Sequence, residues 1–244
     1  MLQQILISIG RSDPIRHFLR TFSADRPLLH EFSQNGEVFT SSAELLKSFF
    51  NYDSSIAEEF VQLKANFFDR LYKIDNDDNM ETSIELETAY LLYYLIRNQN
   101  PEMVVETGVS RGTSSFFILN AIECNGRGKL LSFDILPNAG YILNKEERAK
   151  WDFRLLQKKT AINSFEKDVM RLEKIDVFFH DSYHIYKHQL SEYNIAFKKV
   201  KNGYIISDDV NFSYAFLDFL KSNGLLAKFL ITKTNVVGIV PITK

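Results

Sequence analysis

Acidic residues stand where several apolar runs of this chain stop. "MVVE" ends on Glu106, "LLSFD" on Asp134, "IDVFFHD" on Asp181, and "GYIISDD" on Asp208 and Asp209. Three of the five histidines, His180, His184 and His188, lie within nine positions at the end of the third run. One carboxylate at a strand end can serve as a helix cap. Several carboxylates on one rim repel each other unless a cation or hydrogen-bond donors occupy the space between them. A histidine beside them is suited to taking a proton, because its pKa already lies near neutrality. Acids and imidazoles in this pattern point to a site that holds a cation, removes a proton, or does both.

The elements that must position these groups alternate. After residue 80 the chain reads as helix "SIELETAYLLYYLIRNQN", strand "EMVVETG", helix "TSSFFILNAIEC", strand "GKLLSFD" and strand "DFRLLQ". Helix "INSFEKDVMRLEK", strand "IDVFFHD", helix "HIYKHQLSEYNIAFKKV" and strand "GYIISDD" come next. Helix "FSYAFLDFLKSNG" stops at Gly224, and "LLAKFLITK" and "VVGIVPI" close the sequence. This order implies an α/β, Rossmann-like, doubly wound and mostly parallel sheet. The short "TKTN" between the last two strands makes a hairpin, so an edge strand near the C-terminus should run antiparallel. In such sheets ligands bind outside the carboxyl ends of the strands, which is where the acids fall.

Residues 1–80 read differently. Segments such as "DPIRHFLRTF", "SSAELLKSFF" and "SSIAEEFVQLKANFFDRLYKI" carry helical spacing, with Ser42 before Glu44 and Ser54 before Glu58 as start signals, and no strand is evident. The polar "DNDDNMETS" marks the boundary between this helical N-terminal region, 1–80, and a domain over 81–244. Asp75, Asp77 and Asn79 mimic the start of a calcium loop, but Met80 stands where the glycine is needed and Leu86 at the twelfth position, so the stretch reads as a solvated linker.

Composition bounds the function. With 45% hydrophobic, 25% charged and 14% aromatic residues the chain is globular, and a net charge of -2 gives no global field for nucleic acid or an anionic membrane. A small, neutral or glycan-like partner fits better, with homo-oligomers left open. Cys124 alone cannot make an intramolecular disulfide, and the first residues lack the basic start of a signal peptide, so the expected compartment is the cytoplasm.

In "VVETGVSRGTSS", Gly108 and Gly112 let the backbone turn tightly toward a ligand at a helix N-terminus. The G-x-x-x-G spacing departs from the dinucleotide fingerprint, which disfavours a nicotinamide oxidoreductase. The loop combined with Asp134 at the next strand end indicates an adenosine-containing ligand.

Through "VVETGVSRGTSS", "LLSFD", "IDVFFHDSYHIY" and "GYIISDDV", the chain from about Ser83 onward resembles the class I S-adenosylmethionine-dependent methyltransferases. It is most similar to the branch of catechol-type, macrolide-sugar and rhamnosyl O-methyltransferases and cephalosporin hydroxylase-like proteins, which carry "DGDHSY" where this chain has "DSYHIY". The resemblance implies that Glu106, Gly108, Gly112 and Ser114 line the methionine and ribose part of the cofactor and that Asp134 holds the ribose hydroxyls. It also implies a divalent ion, magnesium by its hard oxygen ligands, on Asp181, Asp208 and Asp209. Thr160 and Asn163 are suggested for the adenine side.

His184 aligns with the histidine of "DGDHSY" and is the expected general base. His180 should face away from Asp181, since neighbouring strand residues alternate, and His188 should lie at the surface or in the acceptor pocket. The expected activity is methylation of a hydroxyl on a small glycosidic or polyhydroxylated acceptor. Two other readings are a non-haem iron oxygenase on His180, Asp181 and His184, and a cofactor-binding module of the same fold without turnover.

Overall fold

The computed structural model describes residues 26–75 and 84–243. Eight strands form one sheet: β1 (Gly36–Phe39), β2 (Met103–Thr107), β3 (Lys129–Asp134), β4 (Trp151–Leu155), β5 (Ile175–His180), β6 (Val200–Ser207), β7 (Ala227–Ile231) and β8 (Val236–Ile242). Their order is β1-β7-β8-β6-β5-β2-β3-β4. Only the pairings of β8, with β6 and with β7, are antiparallel. The central strands read as unbroken apolar runs because both faces of a parallel sheet are covered by helices. Val104 and Val105 of β2 pair with Val177 and Phe178 of β5, and all four are buried.

One face is covered by α3 (Ser54–Asp75), α4 (Leu86–Gln99) and α5 (Thr113–Asn125). Phe67 lies 5.2 Å from Phe116 and 5.2 Å from Phe117, ring centre to ring centre, which ties α3 to α5. Each such fully buried aromatic side chain contributes roughly 1.5–3 kcal/mol. The other face is covered by α7 (Ala161–Val169), α8 (Tyr186–Phe197) and α9 (Ala215–Asn223), where Phe165, Tyr193, Phe216 and Phe219 form the core. Short helices α1 (Leu29–Ser33), α2 (Ser42–Lys47) and α6 (Lys145–Arg148) fill the connections. Among the described residues no helix is long and apolar enough to cross a membrane.

The N-terminal region is not purely helical. Residues 36–39 form β1, which pairs in parallel with β7, so the antiparallel strand β8 is interior and the expected antiparallel edge is not found. The "GEVF" run is too short to show an alternation, and pairing with Ala227 to Leu230 is what makes it a strand. Ser41, not Ser42, caps α2, its hydroxyl accepting from the Glu44 amide at 3.5 Å. The linker positions 76–83, with Asp77, Asn79 and Met80 of the calcium-loop mimic, lie outside the described residues.

The chain runs outward from β2 to β3 and β4, then returns to place β5 on the other side of β2. The carboxyl ends of β2 and β5 therefore flank the point where strand order reverses, where ligands of open α/β sheets bind. The hairpin between β7 and β8 closes with the Thr232 amide donating to Asn235 at 3.0 Å, and Glu85 at the start of α4 accepts from the amides of Lys233 and Thr234.

Candidate active site

The loop after β2 approaches β5 without room for a side chain. A Cβ on Gly108, whose φ is +83°, would stand 1.9 Å from the Asp181 carbonyl oxygen. Gly112, φ +99°, caps α5 and faces Gly140, whose Cα would lie 2.8 Å from an added Cβ. Asp134 braces the loop from β3. Its Oδ2 accepts from the amides of Val109 (2.7 Å) and Ser110 (2.9 Å), and its Oδ1 from that of Leu136 (2.8 Å).

Glu106 lies beneath the loop, fully buried. It accepts from the hydroxyls of Ser114 at 2.5 Å, Ser115 at 2.6 Å and Ser132 at 2.7 Å. Burial pushes its carboxyl above the usual range, and the three hydroxyls oppose this only in part. A cavity of about 530 Å³ opens over the switch point, lined by Gly108, Asp134, Leu136, Leu156, Asp181 and His188 among others. Of the expected cofactor residues Gly108 and Asp134 are on its wall. Glu106, Gly112 and Ser114 stand behind it, where they shape the loop. Thr160 and Asn163 are exposed, and Lys158 and Ala161 from the same turn line the cavity instead.

Asp181, on the cavity wall, converges with His184 and Asp209, which stand beside the cavity. One ligand atom from each lies within 4.8 Å of the others. His184 Nε2 is 3.5 Å from Asp181 Oδ1, and Nδ1 is 3.3 Å from Asp209 Oδ2. The second contact is close enough for an ion pair, yet Nδ1 is buried without an aligned hydrogen bond, as is Asp209 Oδ1. Burial holds the imidazole below its ordinary pKa, which favours the neutral form. A neutral imidazole has one N–H, so it can donate to only one of two flanking carboxylates. The other nitrogen presents a lone pair to an acid, and a proton or a cation must stand between them. Asp181 is pushed well above the carboxylate range by burial and then by Asp209, Glu106 and Asp134.

Asp208 does not join this group. It is 1% exposed and its Oδ1 accepts from the Asp209 amide at 3.0 Å, so the acidic pair contributes one carboxylate to the cluster and one to the loop's interior. The turn is tight, with Asp209 at φ +54°. Burial, Asp181 and Asp209 together raise the Asp208 carboxyl well above its usual range.

His180 turns away from Asp181, as strand alternation requires. Its Nδ1 meets Glu192 Oε2 at 2.7 Å, and its ring stacks edge-on to Tyr193 at 5.1 Å. The iron-oxygenase set of His180, Asp181 and His184 therefore does not assemble: the third member of the cluster is Asp209.

Sequence reading missed Glu192. It is 2% exposed and accepts from Thr107 Oγ1 (2.7 Å), Ser182 Oγ (3.0 Å), His180 Nδ1 (2.7 Å) and His188 Nε2 (3.0 Å). These donors hold its carboxyl below the usual range against the opposing effect of burial. The available signal was its spacing: Glu192 follows His188 by four and precedes the buried Tyr193, Ile195 and Ala196, which places it on the inner face of α8.

Residues 105–210 match a family model described as a methyltransferase domain, a span that holds the glycine loop, Asp134, Asp181 and Asp209. No curated protein matches the sequence. Solved structures with the same fold include the O-methyltransferase from Bacillus cereus with SAH, at 13% identity and TM-score 0.51 over 83% of this chain and 98% of that one. TomG from Streptomyces achromogenes with SAM is similar at 11% identity and TM-score 0.53, over 84% and 97%. The SAH-bound methyltransferase PaMTH1 from Podospora anserina is similar at 10% and 0.52, over 91% and 100%. At these identities the likeness is one of fold. The doubly wound sheet and the glycine loop facing an acid at the switch point give this chain the fold of those solved methyltransferases, and residues 105–210 are similar to a methyltransferase domain.

Proposed function

We propose that the protein transfers a methyl group from S-adenosylmethionine to a hydroxyl of a small glycosidic or polyhydroxylated acceptor, in the cytoplasm. The observation that carries this reading is that Asp181, which lines the cavity together with Gly108 and Asp134, also gathers His184 and Asp209 beside it. Two of the solved proteins with this fold are O-methyltransferases, which supports oxygen as the acceptor atom.

When bound, the sulfonium supplies a methyl group that passes to a nucleophile in line with the departing sulfur, so alignment is most of what the protein must provide. Asp134 and the 108–112 loop grip the nucleoside, and the helix N-terminus behind them offers free amides. His184, neutral because it is buried, takes the hydroxyl proton as the oxygen attacks, and the flanking carboxylates stabilise the imidazolium that results. A sugar hydroxyl is about as reluctant to ionise as water, with a pKa near 16, which is why a positioned base matters.

A second reading concerns the same three groups. The buried, unpartnered His184 Nδ1 and Asp209 Oδ1 fit a divalent ion as well as a proton. Such an ion would be held by Asp181, His184 and Asp209, would lower the pKa of an acceptor hydroxyl, and would make His184 a ligand. One imidazole among the ligands suits manganese, cobalt or zinc better than magnesium. Chelation separates the two readings.

The N-terminal region supplies the acceptor side of the site. Arg26 lies 4.5 Å over the Phe212 ring, and Phe212 packs edge-on to His184 at 5.8 Å, so Arg26 stands close to the proposed base. Calorimetry with S-adenosylhomocysteine tests the core of this proposal. Absence of binding at millimolar concentration would overturn it.

A further inference from the structure

His188 stands on the cavity wall and has no part in the chemistry at His184. It is nevertheless fixed. Its Nε2 is 3.0 Å from Glu192 Oε1, and the Tyr183 ring meets it edge-on at 5.9 Å. Glu192 is itself immobilised by Thr107, Ser182 and His180, so the carboxylate that orients His188 is anchored to β2, to β5 and to the loop after β5.

An imidazole donating its Nε2 hydrogen to a carboxylate keeps its Nδ1 lone pair for something else. No hydrogen bond to that nitrogen occurs among the described residues. A ligand gripped by Asp134 and the 108–112 loop would lay its apolar end among Ile135, Leu136, Leu156, Ala161 and Ile185, which follow in the same wall. A slot of this kind accepts any flat ring. It cannot tell one purine from an isostere, whereas a buried acceptor that goes unpaired with the wrong ring can.

We propose that His188, oriented by Glu192, is a specificity residue for the base of the cofactor, its Nδ1 accepting a hydrogen bond from an N–H donor such as the 6-amino group of adenine. This rests on the cofactor reading above and goes beyond it, because it assigns the discrimination to a residue on α8 outside the glycine loop. A 6-oxo purine presents an oxygen at that place, so two acceptors would face each other.

The test is calorimetry of the full chain with S-adenosylhomocysteine and with S-inosylhomocysteine, its 6-oxo counterpart. The wild-type protein should bind the adenine form about tenfold more tightly or better, the effect of one acceptor left unmatched against the bound ring. His188→Phe, which keeps a ring and loses the lone pair, should bring the two affinities to within about threefold. His188→Ala serves the same purpose should the phenylalanine variant not fold, and circular dichroism of each variant confirms its fold. Equal wild-type affinities, or a ratio unchanged in the folded variant, would overturn the assignment while leaving the cofactor reading in place. If wild-type protein binds neither compound, the cofactor reading fails and this assignment fails with it.

Discussion

Gly108 and Asp181 are in backbone contact: no side chain fits at the first without displacing the carbonyl of the second. The loop that opens the cavity and the strand end that carries Asp181 are thus one rigid junction. The Asp181 amide donates back to the Thr107 carbonyl at 2.8 Å, and the Gly108 amide to Phe133 at 2.9 Å. Gly108→Ala must both place a Cβ at φ +83° and open this junction. The backbone strain alone costs about 1–3 kcal/mol, so the variant should melt at lower temperature and bind S-adenosylhomocysteine at least tenfold more weakly. Unchanged affinity would mean that the junction does not shape the cofactor cavity.

His184→Ala should reduce turnover by roughly 10²–10⁴-fold. Affinity for S-adenosylhomocysteine, measured by calorimetry, should stay within about threefold, because the cofactor cavity is walled by other residues. A parallel loss of cofactor affinity would show His184 to be part of the binding wall.

Asp208 and Asp209 should behave differently although they are adjacent. If the cluster holds a cation, Asp209→Asn abolishes manganese binding followed by electron paramagnetic resonance, and Asp208→Asn weakens it less, since of this pair Asp209 alone presents oxygen to the cluster. Turnover that survives exhaustive chelation would leave His184 as a base flanked by acids.

The pH dependence of stability should carry the mark of Glu106. Its carboxyl is raised in the fold, so the native state holds this proton more tightly than the unfolded chain does. The stability it contributes is complete below the unfolded carboxyl range and is lost as pH climbs through the folded value. Urea titrations from pH 4 upward should show this decline, and Glu106→Gln, which cannot ionise, should flatten it. An identical slope in the two proteins would place the titrating group elsewhere.

Phe67→Ala should destabilise the protein by roughly 3–5 kcal/mol in urea melts. Phe67 is 1% exposed and touches both Phe116 and Phe117, so its removal leaves a cavity between α3 and α5. A loss below 1 kcal/mol would mean that α3 is not held to the sheet's helices by this contact.

By itself the sequence determined the alternation of strands and helices, the stop at Gly224, the hairpin before β8, and the acids at the strand ends. Each is a local signal: a run of apolar residues, a turn residue or a charge where the run ends. Strand alternation even separated His180 from Asp181. Only the tertiary structure decided that β1 joins the sheet, because a four-residue strand is made by its partner β7 and not by its own pattern. Only the tertiary structure could divide the acidic pair, sending Asp208 inward and Asp209 to His184, since the direction of each side chain follows from a tight turn at φ +54°. Glu192 escaped notice for the same reason: a buried carboxylate is recognisable by the four donors around it, and those come from β2, β5, a loop and its own helix, which nothing short of the fold brings together.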